Sequence, residues 1–206
     1  MGYRYAVARC GSARDHTARS RGRKVLTIEF RVAAPADAAA IAALHAESWR
    51  RHYRGAYSDS FLDGDVGEDR LAEWNRRFAE ADPRRRTIVA HDRLELVGFA
   101  HVVFNDDPIW GALLDNLHVA HGYQRRGIGS QLLGLTAGAV LERQQPSGLY
   151  LWVLEQNIGS QAFYEACGGE RVERAVASPP GRVASRLNGS PVKLRYAWPD
   201  PAVLVG

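Results

Sequence analysis

The order of apolar and polar positions predicts alternating strands and helices along most of the chain. The first strand alternates, with Leu26, Ile28 and Phe30 on one face. Helical spacing begins at Pro35, a residue that suits the first turn of a helix. Segment 54–67 is predicted as a loop or short helical turn, and 178–190 as a connection. The predicted strands are 26–32, 87–90, 94–104, 113–119, 148–154, 170–177 and 192–198, and the predicted helices are 35–53, 68–81, 127–143 and 157–167.

Charge separates an N-terminal arm from the rest. Residues 1–24 contain seven basic residues and one acidic residue, whereas the other 182 contain 20 basic and 22 acidic. We expect a disordered basic arm at 1–24, one folded domain at 25–200 and a short tail at 201–206. An over-long gene model, with the true start near Val25, is an alternative for the arm. The isoelectric point of the chain is high because of the arm, and the domain itself is near neutral. The isoelectric point therefore gives little support for nucleic-acid binding, which would depend on the arm.

Cysteine usage and hydropathy limit the setting of the protein. Cys10 and Cys167 form neither a C-x-x-C pair nor a disulfide framework, which fits a reducing, cytoplasmic setting. No apolar run approaches the ~18–20 residues of a membrane span. A soluble protein without a membrane partner is therefore expected.

The clearest candidate chemistry lies in 113–133, which is predicted as strand, polar turn and helix. Gly127 and Gly129 open the helix directly after Arg125 and Arg126. Free N–H groups at a helix start, glycines without Cβ atoms and nearby guanidinium groups suit a phosphate. Ser130 offers a further hydroxyl donor. The simpler interpretation is a tight turn with solvated arginines.

Two blocks of sequence resemble the GNAT superfamily of N-acetyltransferases. The stretch Gln124-Arg125-Arg126-Gly127-Ile128-Gly129 resembles the family's Q/R-x-x-G-x-G/A signature, whose loop holds the pyrophosphate of acetyl-coenzyme A. Segment 151–168 resembles its strand followed by N-x-x-A-x-x-F-Y-x-x-x-G-F, with glycine instead of phenylalanine at 169. The resemblance covers 28–198. It implies an α/β GNAT (acyl-CoA N-acyltransferase) fold, a mixed twisted sheet flanked by helices on both faces.

The same resemblance implies roles for individual residues. Asn157 would hydrogen-bond the pantetheine arm, and Tyr164 would lie at the thioester sulfur. A tyrosine with a pKa of about 10 can protonate a thiolate whose conjugate acid has a pKa of about 8.5, so Tyr164 is the candidate general acid. The alternative is that it only packs. The implied cofactor-binding residues are Leu117, His118, Val119, Gln124, Arg125, Arg126, Gly127, Ile128, Gly129, Ser130, Asn157 and Tyr164.

The general base and the acceptor site are less well defined. Several family members use a glutamate where this chain has Trp152. Among the remaining base candidates, His118 has the unperturbed pKa closest to neutrality. His118 and His121 lack further ligands, so no metal is expected. Base candidates are Glu47, Asp115, His118 and Glu155; aromatic acceptor contacts are Trp49, Tyr53, Tyr57 and Trp110; and acids that would attract an amine, or be solvated, are Glu47, Asp59, Asp63 and Asp65.

These features predict an enzyme that moves an acetyl group from acetyl-CoA, its acyl-donor substrate, to a primary amine. The amine would belong to a small molecule, amino acid or peptide, and would attack the thioester directly. A non-catalytic acyl-CoA-binding regulatory module, with the pocket kept and a base lost, is the alternative. A homodimer is left open.

Overall fold

A computed structural model describes residues 27–143 and 148–205 of the chain. The predicted disordered arm at 1–24, a start near Val25, and Leu26 of the first strand lie outside the described residues, as do 144–147 and Gly206 of the tail. None of the helices in the two described ranges is long and apolar enough to cross a membrane.

One mixed sheet contains all the strands of these two ranges. They are β1 (Ile28–Val32), β2 (Arg85–Asp92), β3 (Glu95–Asp107), β4 (Gly111–Val119), β5 (Leu149–Leu154), β6 (Glu170–Val176) and β7 (Val192–Trp198). Their spatial order is β1-β2-β3-β4-β5-β7-β6. Neighbours are antiparallel except β4 and β5, which run parallel.

Helices cover both faces of the sheet, as predicted. They are α1 (Ala38–His52), α2 (Asp59–Asp63), α3 (Val66–Ala79), α4 (Ile128–Leu141) and α5 (Ile158–Ala166). On one face, Ile41 of α1 and Trp74 of α3 pack with Phe99 of β3. On the other face, Leu132 of α4 packs in the cluster that contains Leu151 of β5. The mixed sheet with helices on both sides is therefore confirmed.

Burial explains where the elements differ from their predicted bounds. Helix α2 forms inside the predicted loop because Phe61 and Leu62 are buried, which stabilises a helix too short to persist alone. Strand β3 continues past the predicted end at 104 to Asp107, with Asn105 at a φ of 54°. The tail forms a 3-10 turn, Pro201–Leu204, that packs Leu204 against the main core.

The parallel strands β4 and β5 separate soon after they meet. They pair only at Ala112–Leu149 and Leu113–Tyr150, and beyond these pairs each strand keeps just its antiparallel neighbour. A bulge in β4 leaves Asp115 without a partner on β3, and a bulge bends and twists its strand. A wedge-shaped cleft therefore opens between the C-terminal halves of β4 and β5.

Three histidines lie between the sheet and helices α1 and α3. Nδ1 of His45 accepts a hydrogen bond from Nε1 of Trp74 at 3.1 Å, and Nδ1 of His101 lies 2.8 Å from Oγ1 of Thr87. Burial lowers the pKa of His101 to about 4 and that of His118 to about 3. Burial also holds the pKa of His45 well below 6.5. All three rings are therefore neutral at pH 7.

We expect acid to destabilise the fold well before most carboxylates titrate. The three imidazoles stay neutral in the folded state but bind protons below pH 6.5 in the unfolded chain. The free energy of unfolding should fall as pH drops below 6.5, with a slope approaching about 4 kcal/mol per pH unit for three protons. Urea unfolding from pH 7.5 to 5 measures the slope, and His101→Gln should reduce it by about a third. A flat profile above pH 5 would contradict neutral buried histidines.

Candidate active site

The cleft between β4 and β5 contains a cavity of about 100 Å³. Its walls combine backbone and side chains of β4, the outer part of β5, the start of α5 and the last turns of α1. Because β4 and β5 no longer pair here, the cavity is lined by strand backbone as well as by side chains. The lining residues are Ser48, His52, Tyr53, Leu114, Asp115, Asn116, Leu117, His118, Val119, Gln124, Trp152, Val153, Asn157, Ser160 and Tyr164.

The backbone of β4 offers polar groups to this cleft. The N–H of Ala120 donates to the carbonyl of Val97 at 2.9 Å, and hydrogen-bonded pairs alternate along antiparallel strands. The backbone groups of His118 therefore face β3, whereas those of Leu117 and Val119 face the cleft. This arrangement gives an extended polar ligand two positions at which to hydrogen-bond along the strand.

The polar turn after β4 ends in a helix start with unpaired N–H groups. Gly127 is the N-cap of α4 at a φ of 83°, a left-handed conformation that favours glycine. The first bond along the helix runs from the N–H of Gln131 to the carbonyl of Gly127. The N–H groups of Ile128, Gly129 and Ser130 are thus free of helical partners, which makes an anion site.

Two side chains of the turn hydrogen-bond backbone carbonyls, and a third is exposed to solvent. Nη2 of Arg126 donates to the carbonyl of Gly122 at 2.7 Å, and its guanidinium lies 5.2 Å from the ring centroid of Tyr123. Nε2 of Gln124 donates to the carbonyl of Val119 at 3.3 Å. Arg125 is exposed at a φ of 59°. Arg125 is therefore the cation of this turn that is best placed to meet an incoming anion.

Tyr164 is buried against aromatic rings and also lines the cleft. Its ring centroid lies 5.3 Å from Phe163, 6.0 Å from Tyr196 and 6.1 Å from Trp198. Burial raises the pKa of its hydroxyl, so this group stays protonated at neutral pH. Oδ1 of Asn157 accepts the N–H of Ser160 at 3.2 Å and caps α5, so Asn157 fixes the helix that carries Tyr164.

The structure changes the expectation for His118 as a base. Its Nδ1 lies 2.7 Å from Oγ of Ser48, and its ring stacks beside that of His45 at 4.7 Å. Burial first, and then the charge of His52, lower the pKa of His118 to about 3. An imidazole with that pKa binds protons too weakly to match a base working at neutral pH. The unperturbed value of 6.5 does not describe this residue.

Two other base candidates are not brought to the cleft. Glu47 is exposed and lies 3.4 Å from Arg51 across one turn of α1. Glu155 forms a 2.9 Å ion pair with Arg174 on the outer surface. Neither carboxylate lines the cleft.

Asp115, by contrast, lies in the wall of the cleft. Its Oδ2 accepts from Nη1 of Arg77 at 2.7 Å and from Nδ2 of Asn116 at 2.6 Å. Burial opposes ionisation, but the charge of Arg77 outweighs it and keeps the pKa of Asp115 below its ordinary value. Asp115 therefore presents a negative charge at neutral pH.

A larger cavity of about 570 Å³ adjoins the cleft, between α1, α3 and the chain after β6. Tyr53, Asp115 and Asn116 line both cavities, so the two spaces meet at these residues. A volume of this size fits a small organic ligand. The lining residues are His45, Trp49, Tyr53, Tyr57, Asp69, Arg70, Ala72, Glu73, Arg76, Arg77, Asp115, Asn116, Pro180 and Gly181.

Three of the four predicted acceptor aromatics lie in this larger cavity. The rings of Trp49 and Tyr53 stack at 5.4 Å, and those of Tyr53 and Tyr57 lie at 4.9 Å. The structure does not bring Trp110 there, because it precedes β4 at the opposite end of the strand and packs under the guanidinium of Arg195 at 5.3 Å. The predicted acids also stay outside: Asp59 and Asp63 pair with Arg54 on the surface, and Asp65 is the N-cap of α3.

Sequence reasoning did not single out Asn116 or Arg70, although both line the larger cavity. Asn116 is a buried polar residue within a largely apolar strand, and that contrast was the available signal. Arg70 is also buried, and its position four residues after Val66 and four before Trp74 on the buried face of α3 was the available signal. Its position depends on contacts with distant residues.

The chain is similar to a family of known proteins. The model of the acetyltransferase (GNAT) family matches residues 46–169, which is more than half of the chain. The chain belongs to this family. The seven-stranded mixed sheet is its fold, and the cleft between β4 and β5 is the candidate cofactor site.

Several relatives share parts of the sequence or the fold. A probable N-acetyltransferase of Mycobacterium tuberculosis is 28% identical over 148 residues, which cover 69% of this chain and 79% of that protein. PaiA N-acetyltransferase from Thermoplasma acidophilum, crystallised with coenzyme A, has a TM-score of 0.63 at 20% identity, over 84% of this chain and all of that one. The Salmonella typhimurium protein yncA, solved with its cofactor acetyl-CoA, has a TM-score of 0.58 at 16% identity, over 83% and 92%.

We expect Gly129→Glu to weaken acetyl-CoA binding at least tenfold. A Cβ at this position would lie 3.4 Å from the ring of Phe163, and the added carboxylate would repel an anion at the free N–H groups. Gly138→Glu is the matched control, because a Cβ there meets nothing within 4 Å on the same helix. Calorimetric titration with acetyl-CoA compares the two. Equal dissociation constants would argue against the helix start as the anion site.

Proposed function

We propose that this protein is an N-acetyltransferase that moves the acetyl group of acetyl-CoA to a primary amine. One observation carries the proposal: the cleft lined by Tyr164 opens into the larger cavity at Tyr53, Asp115 and Asn116. A thioester in the cleft would face an acceptor in the cavity. Membership of the family and the cofactors of its structural neighbours support acetyl-CoA as the donor.

The described residues fit the separate parts of acetyl-CoA. The free N–H groups of Ile128, Gly129 and Ser130, with exposed Arg125, suit the pyrophosphate. The backbone groups of β4 that face the cleft suit the amides of pantetheine. The same backbone N–H groups can polarise the acetyl carbonyl and stabilise the oxyanion that forms there.

The proposed reaction is direct transfer. The amine nitrogen attacks the carbonyl carbon of the thioester, and the tetrahedral intermediate then expels the sulfur of coenzyme A. Tyr164 donates its hydroxyl proton to that sulfur, and the nitrogen releases one proton to water as the amide forms. A proton from water then restores the Tyr164 hydroxyl, so no net proton is lost. Tyr164 fits the role of acid because it lines the cleft and its hydroxyl is protonated at neutral pH. Burial raises the pKa of this hydroxyl and weakens it as a donor, so the proton moves to the sulfur as the thiolate charge forms.

Attack on the thioester requires a neutral amine, but it does not require a base in the protein. Each titratable side chain lining the cleft has a pKa shifted away from neutrality, upward for the tyrosines and downward for the others; they are His52, Tyr53, Asp115, His118 and Tyr164. An amine that arrives already deprotonated meets this requirement. Ionised Asp115 then stabilises the positive charge that develops on the attacking nitrogen.

We expect Tyr164→Phe to lower kcat by about 100-fold while acetyl-CoA affinity changes less than about threefold. The variant loses the proton donor but keeps the ring in its aromatic surroundings. Thiol release from acetyl-CoA, measured over a panel of amines, gives kcat.

Tyr150→Phe is the control, because that buried tyrosine bonds Asp106 outside the cleft. Unchanged turnover in Tyr164→Phe would remove this residue from the mechanism. Acetyl-CoA binding without thiol release for any amine would favour a regulatory binding module.

The pH dependence of kcat/KM should follow the acceptor and not the protein. Because Asp115 and His118 have pKa values lowered from their ordinary values, kcat/KM should rise from pH 6 toward the pKa of the free amine. Two amines that differ by about two pKa units should give profiles displaced by the same interval. A common inflection between pH 6 and 8 for both amines would reveal a base in the protein.

A further inference from the structure

The larger cavity has opposite charges at its two ends. At one end, Asp69 and Arg70 of α3 line the cavity, and Arg186, which is not itself a lining residue, bonds the same carboxylate of Asp69. At the other end, where the cavity meets the cleft, Asp115 and Glu73 share the guanidinium of Arg77. If the larger cavity holds the acceptor, these charges select which acceptor binds. The inference that follows therefore rests on the proposed function.

The first end carries more positive than negative charge. Asp69 accepts from Nη2 of Arg70 at 2.5 Å and from Nη1 of Arg186 at 2.6 Å. Two guanidinium groups thus share one carboxylate, and within the described residues no other acidic side chain pairs with either of them. Arg70 has only 10% of its side chain exposed. Charge that is buried without full compensation favours an anionic ligand.

Aromatic rings hold both guanidinium groups in place. Arg70 lies 4.3 Å from the ring centroid of Trp49, and Arg186 lies 4.4 Å from that of Phe61. Nε and Nη2 of Arg70 bond Asp69, whereas its Nη1 makes no hydrogen bond to the described residues. That nitrogen is a preorganised donor in a residue that lines the cavity.

The second end favours a cation. Nη1 of Arg77 bonds Asp115 at 2.7 Å while its Nε bonds Glu73 at 2.6 Å. Arg76, which also lines the cavity, pairs with Glu73 and Glu80, so two guanidinium groups serve three carboxylates at this end. Asp115 lines both cavities, which is where an attacking amine must be. Arg70 and Arg77 are seven residues apart, or about 10 Å along α3.

We propose that the acceptor is an amino carboxylate, with its amine at Asp115 and its carboxylate at Arg70. The two ends lie about 10 Å apart along α3, which is the length of about three residues of extended chain, and the side chains shorten the gap that the acceptor must span. The two charges of the acceptor are therefore separated by a longer chain than in an α-amino acid. Nη1 of Arg70 gives the carboxylate both a charge and a directed donor, while Arg186 shares in neutralising Asp69.

Matched amines test this proposal. One series runs from glycine to aminooctanoate, with the amine at the chain end, and the other contains alkylamines with equal numbers of methylene groups. We expect the best amino carboxylate to be longer than glycine and to exceed its matched alkylamine in kcat/KM by about 10- to 100-fold. In Arg70→Gln this preference should fall to within about threefold, while alkylamine turnover and acetyl-CoA affinity persist.

Two further variants keep the test specific. Arg186→Gln should lower the same preference from a different part of the chain, because Asp69 would then neutralise Arg70 alone. It replaces Arg70→Gln if that variant does not bind acetyl-CoA. Arg84→Gln removes the same charge from an exposed residue outside the cavity and should leave the preference unchanged. If the preference for the amino carboxylate were lost in Arg84→Gln, it would depend on the total charge of the protein and not on the cavity, and the proposal would be overturned.

The outcomes separate this inference from the proposed function. Alkylamine turnover without a preference for the carboxylate, or a preference that survives both Arg70→Gln and Arg186→Gln, overturns the inference and leaves the enzyme assignment standing. Acetyl-CoA binding with no thiol release in either series overturns the proposed function, and the inference with it.

Discussion

The separation of β4 from β5 is the constraint on which the site depends. Parallel neighbours normally satisfy each other's backbone along their whole length, and unpaired backbone polar groups are costly when buried. Here pairing stops at Leu113–Tyr150, and the groups of Leu117 and Val119 are left facing a cleft. A ligand that contains amide groups can hydrogen-bond these backbone groups. The bulge at Asp115 adds a carboxylate at the point where the strands part.

Local chemistry explains what the sequence predicted well. The turn at Gln124–Ser130 was recognisable because the left-handed N-cap requires glycine and the free N–H groups follow directly from the helix start. The order of strands and helices followed from their periods of two and 3.6 residues. For the segment of α2 the sequence left a loop and a short helical turn open, and the bulge was not predicted, since both depend on packing between segments that are distant in the chain.

Site chemistry was less predictable because pKa values depend on burial and on distant partners. His118 looked like a base in the sequence, but Ser48 and His45 of α1 enclose it and the resulting desolvation keeps it neutral. Trp110 looked like an acceptor contact by type alone, and the direction of β4 carries it to the other end of the sheet. In both cases the residue type was informative, but its environment was set by tertiary structure.

The charges around the cleft also give the approach of the amine a direction. On the β5 side, Trp152 lines the cleft with Lys193 at 4.2 Å and Arg195 at 4.6 Å from its ring centroid. These cations disfavour a further cation beside Trp152. On the α3 side, Asp115 is ionised and lines both cavities. The acceptor amine of the proposed reaction would therefore be attracted from the larger cavity and repelled from the β5 side, so the charges of β4 and α3, and not those of β5, would guide it to the thioester.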